Sequence, residues 1–215
     1  NLCDVEVTLA GGDTVPRYTA GFEVSVDDEP AAVIEELLKA CHGQLADMGG
    51  IWKIRAGGPG LPVLFFSDED VIATRPEEFD PFPGLAETFN GISATYPEPV
   101  SLWESREAPA RYNPTWEAED GGRRLVAALS LPAVTHARQV QHLMQAAIRD
   151  HRRMRRHNLT LPPAAAILEP LDVVSWSSTR NGYAAKAFEV AQVVEDLRSC
   201  LPQLALREVD ATDYD

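Results

Sequence analysis

Apolar positions at helical spacing predict a first helix that begins near Pro30 and ends just before Gly43. Acidic side chains and a proline stand at its start, where the helix dipole favours carboxylates and the first turn tolerates proline. A glycine is the preferred residue just past a helix end. One face of this helix carries the apolar residues Val33, Ile34, Leu37, Leu38 and Cys41.

A longer apolar stripe predicts a second helix over residues 135–157, with Thr135 as its cap. The stripe recurs at three- and four-residue steps and consists of Val140, Leu143, Met144, Ala147, Ile148, His151 and Met154. Basic side chains gather in the last turns, where a helix dipole favours cations. At helical spacing, one broad face is expected to carry Arg149, Arg152, Arg153 and Arg156, while Arg155 points elsewhere.

Short apolar runs predict strands in both halves of the chain. In the first half, they begin with alternation at Val5, Val7 and Leu9 and continue at 22–26, 45–48, 51–55 and 63–66. Gly49-Gly50 predicts a hairpin, because both glycines tolerate the positive φ of a primed turn. In the second half, the runs are 88–96, 125–131, 158–161, 172–176, 187–194 and 204–207. Many short strands with one long helix indicate a small barrel or a strongly curved sheet.

These elements predict an α+β protein with two β-rich subdomains, a β-α-β-β unit and a small β-barrel with one long helix. Charge supports a division, since residues 1–110 hold 20 Asp/Glu and 6 Lys/Arg whereas residues 111–215 hold 13 of each. We predict an α/β subdomain at 18–86 and a barrel-like subdomain at 87–215 that contains the helix. Residues 1–17 form a lead-in strand expected to pair with the barrel.

Composition narrows the classes of function. The 215 residues carry a net charge of −14, which argues against broad non-specific binding to nucleic acid or anionic membranes. No apolar run approaches 18 residues, so no membrane span is predicted. The start at Asn1, without methionine or leader, suggests a segment of a longer polypeptide. Three cysteines without a CxxC spacing argue against a disulfide framework and a cysteine-based zinc site.

No catalytic constellation emerges from the sequence. The five histidines form no metal-binding motif, and the acidic run Asp68–Asp70 lacks a calcium-loop pattern. The glycines at 57–60 lack the Lys-Ser/Thr of a phosphate loop. We therefore predict no enzyme, no catalytic residue, no cofactor and no metal. The charged candidate is a partner interface formed by Arg149, Arg152, Arg153 and Arg156, meeting carboxylates across a subdomain or subunit boundary. The alternative for these arginines is a solvated helix end.

The order and spacing of four segments resemble the phage tail protein domain of J-like tail tip attachment proteins and of the large baseplate (hub) protein of gene transfer agents. The segments are 17–30 (with Arg17-Tyr18-Thr19-Ala20-Gly21), 43–57, 89–98 and 131–190. This chain has Pro170-Leu171-Asp172 where the family usually reads Pro-Gly-Asp. That departure predicts a turn made without a positive-φ residue.

The resemblance implies a structural module of a baseplate hub. Its partners would be other copies of itself in a trimeric ring and neighbouring tail and baseplate proteins. DNA would pass through the channel without sequence-specific binding, and an acidic wall would let it slide. The implied location is the tail tip of a virion or gene transfer agent particle, assembled in the host cytoplasm. Two alternatives stay open: a DNA- or partner-binding adaptor that uses the Arg-rich helix end, and an enzyme of unrecognised type such as a cell-wall glycan hydrolase.

Overall fold

The computed structural model describes residues 3–8, 12, 14–82, 84, 87–196 and 198–214. In chain order, the strands and α-helices are β1 (Glu6–Thr8), β2 (Thr14–Pro16), α1 (Pro30–Lys39), β3 (Gln44–Met48), β4 (Ile51–Arg55), β5 (Pro62–Ser67), β6 (Glu78–Asp80), β7 (Gly91–Glu98), β8 (Glu104–Tyr112), α2 (Pro114–Glu119), β9 (Val126–Ser130), α3 (Ala137–His151), β10 (Arg156–Thr160), β11 (Val173–Ser178), β12 (Tyr183–Asp196) and β13 (Leu201–Glu208).

The chain divides into two compact units, each assembled from separate segments. Unit 1 comprises the described residues of 1–44, 88–151 and 213–215, and unit 2 those of 45–87 and 152–212. The predicted contiguous subdomains 18–86 and 87–215 are therefore wrong. The chain passes from one unit to the other at four points, and one of them, between residues 87 and 88, lies close to the predicted boundary. Pairing between distant strands decides the division, and local sequence patterns carry no information about which distant strands pair.

Unit 1 is built on a three-stranded sheet and α3. The sheet has the order β8-β7-β9, with β7 antiparallel to β8 and parallel to β9. Its core joins the sheet side chains Ile92, Ala94, Tyr96 and Ala108 to the helical stripe Val140, Leu143, Met144 and Ile148. The predicted apolar face of the second helix is thus confirmed as a buried face.

The helix α3 is shorter than the predicted 135–157. It ends at His151, and Arg156–Thr160 forms β10 instead. Basic residues at three- and four-residue steps would repel one another in a continued helix. In β10, His157 and Leu159 are buried in unit 2, and this burial stabilises an extended backbone for the segment. The helix belongs to unit 1, so the predicted barrel subdomain containing it is also wrong.

Unit 2 is built on a six-stranded sheet of order β5-β11-β12-β13-β10-β6. The β5–β11 pair is parallel and the other pairs are antiparallel. The core is aromatic and aliphatic, with Trp176, Phe188, Leu159, Leu204 and Leu206 almost wholly buried. The α+β class is confirmed, but among the described residues no pairing joins the edge strands β5 and β6, so the sheet is open and the predicted barrel is not closed.

The N-terminal segment also differs from expectation. Strand β1 pairs antiparallel with β2, in the register Glu6↔Pro16, and not with the six-stranded sheet. The predicted strand position Leu9 lies outside the described residues. The predicted run 22–26 is described but belongs to no sheet. The elements β6, β8 and α2 have no counterpart in the sequence prediction, because the prolines that surround them indicate connections.

Two turns can be compared with what the local sequence predicted for them. The predicted hairpin is confirmed, since β3 and β4 form a two-stranded sheet joined by Gly49 and Gly50, both at positive φ. The turn at Leu171 corrects the other expectation, because Leu171 itself adopts φ 70°. Its backbone N–H donates to the Val190 carbonyl at 2.8 Å, which holds the leucine in a conformation that favours glycine.

Candidate partner interface

The four candidate arginines do not share one helical face. Arg149 lies in the last turn of α3, whereas Arg152 and Arg153 follow the helix end and Arg156 begins β10. The division of the chain places Arg149 in unit 1 and the other three in unit 2. The predicted common face is therefore wrong, because the helix stops before the last three arginines. Their role as a partner interface stays a prediction.

Arg153 already has a carboxylate within its own unit. Its Nη2 lies 3.1 Å from Asp210 Oδ2, and both side chains remain partly exposed. Burial acts to raise the pKa of Asp210, but hydrogen bonds from Thr212 and the charge of Arg153 outweigh it, so the pKa is lowered. Asp210 therefore stays ionised and available to Arg153 across the physiological range. An ion pair this exposed contributes little to stability and can exchange partners.

Arg155, which the prediction set apart from the face, binds a buried carboxylate. Its Nη1 lies 3.1 and 3.2 Å from the two oxygens of Glu208, whose side chain is nearly inaccessible. Lys186 Nζ reaches the same carboxylate at 2.6 Å. A buried charge requires such partners. Arg155 is thus a structural residue of the six-stranded sheet.

Arg156 is the most exposed of the four candidates. It lies opposite Asp80 of β6 on one side and Arg207 of β13 on the other, in register. Its side chain is exposed, whereas those of Arg149, Arg152 and Arg153 are half-buried. Chemically, an exposed guanidinium presents a planar fork that fits the carboxylates of a partner.

A surface that the sequence analysis missed lies on the β3–β4 hairpin. Lys53 and Arg55 of β4 turn toward carboxylates of unit 2, with Lys53 Nζ 2.7 Å from Asp172 and Arg55 bound to the buried Glu189. Because side chains alternate along a strand, the neighbours of these cations point the other way. Trp52 and Ile54 are accordingly 53% and 61% exposed. The hairpin thus holds its charges inward and its large apolar groups outward.

Strand β5 shows a related exposure. Phe66 is buried and stacks on Trp176 with ring centroids 5.3 Å apart, whereas Val63 and Phe65 are 51% and 71% exposed. This strand forms an edge of the six-stranded sheet. Together, Trp52, Ile54, Val63 and Phe65 are the outward apolar set of β4 and β5. Exposed apolar groups are characteristic of protein interaction sites where they lie together in one patch.

The sequence carried a signal for this set without indicating its direction. In Ile51-Trp52-Lys53-Ile54-Arg55, alternation separates apolar from basic residues, and the usual interpretation buries the apolar side. The structure shows the opposite arrangement, with the basic side chains facing inward. Their partners Asp172 and Glu189 are distant in the sequence, so only the complete fold brings them to this strand. If the sequence had shown that the cations of this strand face acidic residues inside the protein, it would have indicated that the apolar side chains point outward.

Other candidate chemistry is structural in the described part of the chain. Asp68 accepts hydrogen bonds from the Trp176 indole at 3.2 Å and from the backbone of Thr179 and Arg180, at 2.9 and 3.3 Å. It therefore organises a turn of unit 2 and is more than a solvated acid. Within the described residues, no group of three His, Cys, Asp or Glu side chains is arranged to hold a metal ion. No helix there is long and apolar enough to cross a membrane.

Comparison with known families identifies the chain. The family described as putative phage tail protein matches residues 29–193, which is most of the sequence. The chain belongs to this phage tail protein family. The resemblance stated from the sequence is thereby confirmed. No curated protein matches this phage tail protein.

Solved structures share the fold of this phage tail protein at low sequence identity. A chain of the virion of a native gene transfer agent particle is 19% identical, with a TM-score of 0.68, and the match covers 89% of this chain and 42% of that one. A prophage MuSo2 43 kDa tail protein from Shewanella oneidensis is 13% identical, with a TM-score of 0.57 and coverage of 90% and 58%. A tail protein from Neisseria meningitidis MC58 is 10% identical, with a TM-score of 0.54 and coverage of 83% and 56%. The phage tail protein thus spans about half the length of the chains that it matches.

Proposed function

We propose that this tail protein is a structural module of the hub at the tip of a phage-like tail. Copies of the chain form a trimeric ring at the distal end of the tail tube, and the ring contributes to host attachment and DNA delivery. Its role is structural and not enzymatic. The module is carried in the virion or gene transfer agent particle and is assembled in the host cytoplasm.

The observation that carries this proposal is the outward apolar set of β4 and β5. Four large apolar side chains of β4 and β5 are more than half exposed, so each carries the cost of hydrating its apolar surface. Packing against neighbouring tail proteins or other copies would remove that cost, at about 25 cal/mol for each Å² covered. Membership of a phage tail protein family supports assembly as the use of this surface.

The charge distribution favours this role over the DNA-binding adaptor. Arg153 and Arg155 are already neutralised by Asp210 and Glu208. A net charge of −14 repels the phosphate backbone, whereas counterion release needs a positive surface. DNA passing such a ring would not bind it sequence-specifically. In this proposal, Arg149, Arg152, Arg153 and Arg156 contribute to contacts with carboxylates of a neighbouring subunit, and Arg153 does so by exchanging Asp210 for the neighbour's carboxylate.

The test is incorporation of variants into particles. The double variant Trp52→Thr, Ile54→Thr keeps residues that favour strands and removes exposed apolar area, so it should fold normally and fail to enter particles. Val194→Thr is the matched control, because Val194 is 49% exposed on β12 of the same unit. The readout is the chain's content in purified particles, with circular dichroism as the folding check. Normal incorporation of the double variant would contradict the proposal.

The arginines are tested in the same particle assay. Charge reversal in Arg152→Glu, Arg156→Glu should impair assembly, and the impairment should depend on salt because these contacts are screened. Unimpaired assembly, together with duplex DNA binding by the wild-type chain with a steep salt dependence, would favour the adaptor.

A further inference from the structure

Two of the three cysteines come together in unit 1 despite their separation in the sequence. Cys3 lies beside the β1–β2 hairpin, whose ladder continues beyond the strands. The Arg17 N–H donates to the Val5 carbonyl at 2.8 Å, and the Tyr18 N–H donates to the Cys3 carbonyl at 3.2 Å. These bonds fix the backbone of Cys3 against Tyr18.

Cys41 is held near the same place by a buried glutamine. It follows the end of α1, and its Sγ donates to the Leu38 carbonyl at 3.4 Å. The preceding residue, Ala40, accepts a hydrogen bond from Gln139 Nε2 at 2.7 Å. The same Gln139 accepts from the Thr19 N–H at 3.1 Å and donates to the Thr19 carbonyl at 2.9 Å. The segment of Tyr18 and Thr19 therefore links Cys3 on one side to Cys41 on the other.

The two side chains meet at the edge of the unit 1 core. Cys3 and Cys41 both pack against the apolar cluster that contains Tyr18, and their thiols are hydrogen-bond partners. Both residues are half-buried, so neither is sealed inside the core. The third cysteine, Cys200, is exposed and belongs to unit 2.

We propose that Cys3 and Cys41 are a modification site that forms an intramolecular disulfide under oxidising conditions. The sequence argued against a disulfide framework, and the fold supplies the proximity that the cysteine count could not indicate. In the reaction, a thiolate of the pair attacks a small disulfide such as oxidised glutathione and releases one glutathione. The second thiolate then attacks the mixed disulfide and releases another. The pair loses two protons and two electrons, and the oxidant is reduced to two thiols.

Burial influences the rate of this step. Desolvation, with the neighbouring Cys3 thiol as a second cause, raises the pKa of the Cys41 thiol. Its thiolate fraction at neutral pH is correspondingly small, so cross-linking is expected to accelerate as the pH rises. The cross-link would tie the N-terminal hairpin to the end of α1. If the proposed function holds, on which this consequence rests, the bond would strengthen the chain after the particle leaves the reducing host cytoplasm.

The experiment uses the full chain in a Cys200→Ser background, which prevents intermolecular cross-linking through the exposed thiol. Reduced protein is incubated with oxidised glutathione at pH 8.5, and free thiols are counted and peptides mapped. We expect both thiols to be lost, a Cys3–Cys41 linked peptide, and a melting temperature about 5–15 °C higher. The matched controls are Cys3→Ser and Cys41→Ser in the same background, which should gain neither the cross-link nor the stability.

One result would overturn the proposal. Stable glutathione adducts on both Cys3 and Cys41, without the linked peptide, would show that the two sulfurs cannot reach disulfide geometry. The assay needs no particle, so its failure would leave the proposed function untouched. Conversely, a chain that fails to assemble into particles can still form the cross-link.

Discussion

Replacing Glu189 by glutamine should destabilise unit 2 strongly. The Glu189 side chain is 3% exposed and binds two arginines, Arg55 of the β3–β4 hairpin and Arg207 of β13. Arg207 Nη2 lies 3.2 Å from its carboxylate. Glutamine has almost the same shape, so Glu189→Gln removes the charge without creating a cavity. Both guanidinium groups would then lose the negative charge of Glu189, which they share.

The expected decrease in the free energy of unfolding is the balance between lost charge attraction and recovered desolvation. Opposite charges about 4 Å apart attract by about 4 kcal/mol at an effective dielectric constant of about 20, and Glu189 has two such partners. The substitution recovers the cost of desolvating the carboxylate, and the amide oxygen still accepts one hydrogen bond. Breaking a buried ion pair by removing one partner costs about 3–5 kcal/mol, and we expect Glu189→Gln to fall in this range.

Amide hydrogen exchange in β11, β12 and β13 measures this cost for unit 2 by itself. Arg75→Gln is the matched control, because the Arg75–Asp196 pair lies in the same unit with side chains 42% and 45% exposed. Its loss should have a much smaller effect on the same amides, because a solvent-exposed ion pair contributes little to stability. In the double variant Glu189→Gln, Arg55→Gln, the two effects should be less than additive. A cost for Glu189→Gln as small as that of the control would refute the reasoning.

Two further predictions concern the two cores. Burial lowers the pKa of His157 to about 4, so the folded state resists a proton that the unfolded state takes up near pH 6.5. Stability should therefore fall as the pH drops from about 6.5 to 4, by up to about 3 kcal/mol from this group. His157→Gln should flatten that part of a urea-unfolding pH profile, and an unchanged profile would contradict the assignment. In unit 1, Leu143→Ala should cost about 2–5 kcal/mol in urea unfolding, because Leu143 is 1% exposed. Leu37→Ala, at a position 42% exposed, should cost less than about 1 kcal/mol, and equal costs would show that the α3 stripe is not a core.

Local patterns predicted those elements whose sequence signal lies within one short segment. The α3 stripe, the α1 face and the Gly49-Gly50 hairpin all depend on side-chain spacing and backbone preferences that lie within a few residues of each other. The order and spacing of the segments were also sufficient to recognise the family. Each of these features can be read along one sequence, because none of them depends on knowing which distant residues are in contact.

Features that depend on distant partners escaped the same reasoning. The end of α3 is set by the burial of His157 against Trp176 and Tyr183, which lie in later strands. The outward direction of Trp52 is set by acidic partners of its neighbours, which lie in the β11 and β12 region. The positive φ of Leu171 is maintained by a bond to Val190. In each case, the deciding contact is far away in the sequence and has no local signature.

The interleaving of the two units has a consequence for synthesis on the ribosome. Unit 2 needs β13 at the centre of its sheet, between β12 and β10, and unit 1 includes residues as late as Tyr214. Tyr214 donates its hydroxyl to Asp150 at 2.9 Å, and its carbonyl accepts from Arg17. Neither unit can therefore complete its fold until residues 201–214 have left the ribosome, and β5 lacks its parallel partner until β11 is made, more than a hundred residues later. The nascent chain exposes its apolar strands throughout that delay, which makes its yield sensitive to chaperones and to the rate of translation.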